Sequence, residues 1–138
     1  MKRKINIGII GRGKWGKRVI KVIRPISKIL FIYGRNHNLK KFNKKIDWVF
    51  ILSSNNSHYK LCKFYLKNKV NVFCEKPLTL NYLDALKLFK FAKSNKVILY
   101  VDDIEIFKNK KITFNKKNYV IREKKDSGTN LSLFERLF

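Results

Sequence analysis

Two short stretches hold residues whose type and spacing can do chemistry. Gly11-Arg12-Gly13-Lys14-Trp15-Gly16 fits G-x-G-x-x-G and lies between an apolar run and an amphipathic one. In such a loop the first glycine allows a tight turn and the second lets the backbone approach a pyrophosphate. The third lets the helix close on the sheet, with its N-terminus aimed at the phosphates. The bare pattern also fits a structural turn, but a strand before it and a helix after it favour dinucleotide binding. The second stretch is VFCEKPL, Val72 to Leu78, where an apolar run meets Glu75, Lys76 and Pro77. It is either a surface turn in a lysine-rich protein or a place where charges are held at a site.

The elements that must position these residues alternate along the chain. Lys4 to Ile10 reads as a buried strand. Lys14 to Arg24 reads as a helix with Trp15, Val19, Val22 and Ile23 on one face, ended by Pro25. Ile29 to Tyr33, Asp47 to Leu52, Val70 to Cys74 and Val97 to Val101 give four more strands. A helix over His58 to Lys69 turns Leu61, Phe64, Tyr65 and Cys62 inward. Another, over Asn81 to Asn95 and capped by Asn81, offers Leu83, Leu86, Leu88, Phe89 and Phe91 to the core. Repeated β–α units with continuous apolar strands predict an α/β fold, a Rossmann-type doubly wound and mainly parallel sheet. After Asp103 the pattern changes to a short β-hairpin around Asn115 to Asn118, and SLFERLF puts apolar residues at the terminus. The expected division is a dinucleotide-binding domain over 1–103 and the start of a second α/β domain, cut short, over 104–138.

An acid commonly grips the adenosine ribose about 20 residues beyond the glycine loop. Here that region reads FIYGRN, and no acid precedes Asp47. Arg35 stands there instead, either as a bidentate partner for an adenosine 2′-phosphate or as a solvated loop arginine. The first alternative makes NADP the expected cofactor over NAD.

The formal net charge is +24, from 33 basic and 9 acidic residues. A nucleic-acid partner is the reflex reading, yet lysines outnumber arginines 26 to 7 and are spread along the whole chain. Base reading favours the arginine fork and a focused patch, so no specific nucleic-acid partner is expected. Cys62 and Cys74 are too few for a disulfide framework or a metal site and read as buried thiols. The basic start and the short apolar run Ile5 to Ile10 imitate a secretion signal, but the glycines break the run. No stretch reaches membrane-spanning length, and a cytoplasmic protein without a membrane partner is expected.

Three blocks taken in order resemble the Gfo/Idh/MocA family, the glucose–fructose oxidoreductase and inositol 2-dehydrogenase group. They are IGIIGRGKWG, DWVFILSSNNSHY and VFCEKPLTLN. In the second, Ser53, Ser54, Asn55 and His58 are similar to the family's Thr-Pro-Asn-x-x-His element, with serines in place of Thr and Pro. The third contains its Glu-Lys-Pro hallmark. The resemblance covers Lys4 to Phe107 and implies an NADP- or NAD-dependent oxidoreductase acting on a sugar, cyclitol or nucleotide sugar.

It makes Lys76 the catalytic candidate, reaching substrate and nicotinamide. A lysine at a strand end in the ligand crevice can polarise a substrate oxygen or share its proton. Glu75 would pair with Lys76 or touch the ribose, and Pro77 would be cis and fix the direction of Lys76. Ser53, Ser54 and Asn55 would line the nicotinamide side, and His58 is carried over with them, although a lone histidine near a helix start is more often a cap or a packed side chain.

Two departures qualify the resemblance. LYVDDIEIF puts Asp103 and Ile106 where the family has Asn or His and then Arg, while Phe107 survives. Asp102 and Asp103 read as a substrate contact or, preferably, a strand-end turn. The family's second domain, which supplies an Asp, a His and most of the substrate pocket, is almost entirely missing. The expected protein is therefore the cofactor half of an oxidoreductase, with little turnover alone, completed by a homo-oligomer or a second chain. The other readings are a non-enzymatic dinucleotide-sensing module and, less favoured, a charge-driven nucleic-acid binder.

Overall fold

The β-branched run Ile5–Ile10 forms β1, its last four residues buried. Around it the computed structural model, which describes residues 3–34 and 45–102, builds a β–α alternation. Helix α1 (Lys14–Ile23) leads to β2 (Ser27–Tyr33), and β3 (Trp48–Ile51) leads through α2 (Asn55–Lys67) to β4 (Asn71–Cys74). Helix α3 (Tyr82–Asn95) then connects to β5 (Leu99–Val101). The five strands are parallel in the order β2-β1-β3-β4-β5. The predicted hairpin, Arg35 and the proposed second domain lie outside the described residues.

Alternation along the strands assigns each side chain to a face. Ile10, Val49, Ile51, Val72 and Cys74 join α2 and α3 in one core. Ile7 and Ile9 pack with α1 on the opposite face, where Trp48, Phe50 and Phe73 are partly buried. Phe50, Phe73 and Tyr100 stack in a row across that face, with ring centroids 4.5 and 5.4 Å apart. Strand β1 carries a glycine for a steric reason. A Cβ on Gly8 would lie 2.1 Å from the Phe31 ring, beside the register shift between β1 and β2.

Each predicted helix forms, but each turns or starts differently from the expectation. On α1 the inward residues are Gly16, Val19, Ile20 and Ile23, an i, i+3, i+4, i+7 set, while Val22 is 71% exposed and Trp15 37%. Gly16 sets that rotation. A Cβ there would lie 2.4 Å from the Gly11 carbonyl oxygen, so only glycine allows this approach. The Ser27 hydroxyl donates to the Ile23 carbonyl at 2.7 Å, closing α1 and starting β2 ahead of the expected Ile29.

Helix α2 begins at Asn55, three residues before the expected start, because the Ser/Asn run that reads as a loop forms its first turn. Ser57 Oγ donates to the Ser54 carbonyl at 2.6 Å, the local bonding these residues favour at helix starts. Leu61, Cys62, Tyr65 and Leu66 are buried, and Phe64 is only partly so. Helix α3 is capped by Asn81 as expected, its Oδ1 accepting from the Leu83 and Asp84 amides at 2.8 and 3.4 Å. Its core face is Ala85, Leu88 and Ala92, with Phe91 partly buried. Leu83, Leu86 and Phe89 are exposed. The only two alanines of the chain thus let α3 lie close against α2, and larger side chains are left outside.

Candidate functional site

Four backbone hydrogen bonds align the carboxyl ends of the strands. Gly11 N–H donates to Tyr33 O (2.8 Å), Leu52 N–H to Ile10 O (2.7 Å), Glu75 N–H to Ile51 O (2.9 Å) and Asp102 N–H to Cys74 O (2.8 Å). The row brings the glycine loop, the Ser53–Asn55 turn, the Glu75–Pro77 turn and Asp102 to one edge of the sheet. In an open α/β sheet this edge faces the ligand crevice, which opens where the strand order reverses, here between β1 and β3.

The glycine loop is shaped by backbone demands. Gly11 has φ +113°, and a Cβ on it would lie 2.3 Å from Leu52 O. Gly13 sits at the N-cap of α1 with open space around it, no atom lying within 4 Å of where a Cβ would be. No side chain caps α1, and no acid occupies its first turn. Its amides and the positive end of its dipole are thus open to an anion. Arg12 and Lys14 are exposed on the same loop. The Arg12 guanidinium lies over Gly34 at the end of β2, with Nε 3.6 Å from where a Cβ on Gly34 would be.

The Ser53–Asn55 turn and the Glu75–Pro77 turn are tied together by His58. Its ring is fully buried, with Nδ1 2.8 Å from Pro77 O and Nε2 3.1 Å from Ser53 O. Both neighbours are acceptors, so a neutral ring donates to one of them and a protonated ring to both. The resemblance groups His58 with the cofactor-facing residues, although a lone histidine near a helix start is more often a cap or a packed side chain. It lies inside the protein as a brace, because its position one turn into α2 points it at the core. The Ser53 hydroxyl bonds that of Ser57 at 2.7 Å, while Ser54 and Asn55 are exposed.

Lys76 is exposed, and the Lys76–Pro77 peptide bond is cis. Among the described residues no ion pair joins Glu75 to Lys76. The Glu75 carboxyl instead lies against the Asp102 carboxyl and the Trp15 indole. Burial and then Asp102 push the Glu75 pKa up to about 7, against the opposing pull of Lys76 and Trp15. Its Oε2 is buried with no partner in hydrogen-bond geometry. Behind it, Cys62 and Cys74 are buried free thiols. Burial, with Cys62 alongside, holds the Cys74 thiol protonated.

The structure brings together Gly11 to Gly16, Ser53 to Asn55 and Glu75 to Pro77, and leaves Arg35 outside the described residues. Sequence reasoning missed two contacts. Periodicity puts Trp15, a residue of the glycine loop, on the core face of α1, and the pattern at Asp102 favours a strand-end turn over a substrate contact. The signal for Asp102 was strand parity, since Val101 points to the α2–α3 core and its successor must point the other way. Among the described residues no three His, Cys, Asp or Glu side chains are grouped to hold a metal ion, and no helix is long and apolar enough to cross a membrane.

Residues 31–103 match the family model described as an oxidoreductase family with an NAD-binding Rossmann fold, GFO_IDH_MocA. The chain is 34% identical over 117 residues to the myo-inositol 2-dehydrogenase of Thermotoga maritima, covering 70% of this chain and 35% of that protein. It is 38% identical over 55 residues to the uncharacterized oxidoreductase YgjR of Escherichia coli, covering 40% of this chain and 17% of that protein. The chain therefore spans about a third, or less, of the length of these curated relatives. Among solved structures it is similar to the biliverdin reductase of Synechocystis sp. PCC 6803, in complex with biliverdin and NADP+. The TM-score is 0.65 at 25% identity, over 75% of this chain and 39% of that one. With the parallel sheet, the glycine loop and the Glu-Lys-Pro turn in place, the match places this chain in the Gfo/Idh/MocA oxidoreductase family, as a part of it with an NAD-binding Rossmann fold.

Proposed function

We propose that the crevice binds a nicotinamide dinucleotide, NADP in preference to NAD, and that the chain serves hydride transfer at a carbinol of a sugar, cyclitol or nucleotide sugar. The observation that carries this reading is the open space at Gly13 over the uncapped N-terminus of α1. Backbone there can meet a diphosphate with nothing in the way, and the helix dipole favours its charge. Gly11, Arg12, Gly13, Lys14, Trp15 and Gly16 form the phosphate wall. Ser53, Ser54, Asn55, Glu75, Lys76 and Pro77 form the nicotinamide wall, with His58 holding its two turns in register.

The NADP preference rests on two observations. No acid precedes Asp47 in the chain, and the Arg12 guanidinium lies at the end of β2, where the ribose of a bound dinucleotide belongs. Arg35 stands two positions after the last residue of that strand in the sequence and is a second candidate for the 2′-phosphate.

The bound nicotinamide supplies the hydride chemistry. Lys76, exposed at the carboxyl end of β4, holds a proton at the substrate oxygen as it gains or loses charge. Carbinol substrates are suggested by the relative named myo-inositol 2-dehydrogenase. The remaining substrate contacts belong to residues beyond 3–102, on a longer chain, a second copy or a second polypeptide.

Titration of the 138-residue chain with NADPH and with NADH, followed by tryptophan fluorescence, tests the reading. NADPH is expected to bind at least several-fold tighter, and Arg12→Ala to remove that advantage. Equal or tighter NADH binding would overturn the NADP assignment, and binding of neither would overturn the cofactor reading itself.

A further inference from the structure

Glu75 and Asp102 occupy equivalent places on neighbouring parallel strands. Strands β4 and β5 pair Cys74 with Val101, and Asp102 N–H donates to Cys74 O at 2.8 Å, so the next residues on each strand stand side by side. Cys74 and Val101 both point to the α2–α3 core. Glu75 and Asp102 therefore both leave the opposite face, towards Trp15 at the start of α1. Neighbouring strands lie about 5 Å apart, which brings two carboxyl groups together at the edge of the crevice.

One oxygen of Glu75 is buried with no partner in hydrogen-bond geometry. Two ionised carboxylates at this distance repel each other, and a buried carboxylate oxygen without a donor raises the cost further. One proton between them removes both penalties, since a neutral carboxyl donates and its neighbour accepts. We propose that Asp102 is a positioning residue of the crevice: it shares a single proton with Glu75 across the ends of β4 and β5, so that this edge presents one negative charge beside Lys76 for as long as the proton is held. The resemblance to the Glu-Lys-Pro family does not call for an acid at position 102, and the sequence pattern alone favours a turn there.

The other groups facing the pair are the Lys76 ammonium on the same turn and the Trp15 indole on α1. The Cys74 thiol is directed away from the crevice and donates to the Glu75 carbonyl at 3.4 Å. Loss of the shared proton to solvent would leave two negative charges beside Lys76. They would draw its ammonium back to the strand ends and repel an anionic ligand. Under the cofactor reading proposed above, on which this consequence rests, NADPH affinity weakens as the pair ionises.

Carboxyl 13C NMR of the 138-residue chain between pH 4 and 9 reads the pair without any ligand. Glu75 is expected to titrate near neutrality, and Asp102→Asn to bring its midpoint down by at least one pH unit. Glu75→Gln should remove the near-neutral titration altogether, which assigns it to Glu75, and Asp102→Ser serves if Asp102→Asn does not fold. A Glu75 midpoint in the ordinary carboxylate range, or one unmoved by Asp102→Asn, would overturn the proposal. NADPH titrations at pH 6 and pH 8 complete the test. About a three-fold or greater weakening in the wild type and a clearly smaller response in Asp102→Asn support the positioning role, and equal pH responses in the two overturn it. A chain that binds no dinucleotide at either pH overturns the cofactor reading and leaves the NMR test standing.

Discussion

The two walls of the crevice are built on opposite principles. The glycine loop offers backbone: Gly11 and Gly16 are fixed by close approach to Leu52 and to each other, while Gly13 is left open. The facing wall offers side chains, Lys76 exposed and Glu75 half-buried, held from behind by a buried histidine and by Asp102. Substitutions should therefore act differently on the two sides. On the loop the cost falls where a Cβ meets backbone. On the turn it falls on the braces and spares the exposed lysine.

The largest effect is expected at Gly11. Gly11→Ala places a Cβ on a backbone with φ +113° and 2.3 Å from Leu52 O, and should destabilise the fold by about 3 kcal/mol or more in urea unfolding. A loss below about 1 kcal/mol would mean that the loop yields easily and that its shape is not fixed by β3. His58→Ala comes next. It removes the ring that lies between the Ser53 and Pro77 carbonyls and leaves a cavity, for a loss of about 2–4 kcal/mol by the same measurement.

The pH dependence should be smaller. Glu75 has its pKa raised to about 7 from the ordinary 4.5, so the folded state holds the proton more tightly than the unfolded chain. That contribution is fully present below about pH 4.5 and is lost as pH rises through 7. After solvent screening it is about 1 kcal/mol. Chemical unfolding at pH 5 and pH 8 should show it, and Glu75→Gln should flatten the difference. A rise in stability over that range that Glu75→Gln abolishes would contradict the assignment. Lys76→Met is expected to change stability least, within about 0.5 kcal/mol, because the side chain is exposed. Any turnover of polyols or sugars should nevertheless fall about a hundred-fold or more.

The same contrast explains what could be read from the sequence. Strand positions and the glycine loop were legible because both depend on local pattern: a β-branched run, fixed glycine spacing, a capping Asn81. Helix faces were not, because they depend on what the helix leans against. Gly16 turns α1 by its approach to Gly11, and Ala85 and Ala92 draw α3 inward while the larger Leu83 and Phe89 stay outside. Periodicity weighs apolar bulk and so misplaces faces that are set by small residues. The Ser53–Ser57 run failed for a related reason, since turn-forming residues also begin helices.

In the site, Lys76 and the glycines were visible as motif. Asp102 was not, because its partner lies 27 positions away on the neighbouring strand and only register joins them. His58 was visible as a residue but not as a brace, since its role needs two carbonyls from separate loops.

Gly13 offers the most direct test of the central claim. A Cβ there meets nothing within 4 Å, so Gly13→Ala should cost about 1 kcal/mol or less of stability at this N-cap position. If the open space is where a dinucleotide phosphate approaches the backbone, NADPH affinity by fluorescence or calorimetric titration should fall at least ten-fold in the folded variant. Unchanged affinity in a fully folded Gly13→Ala protein would contradict the account.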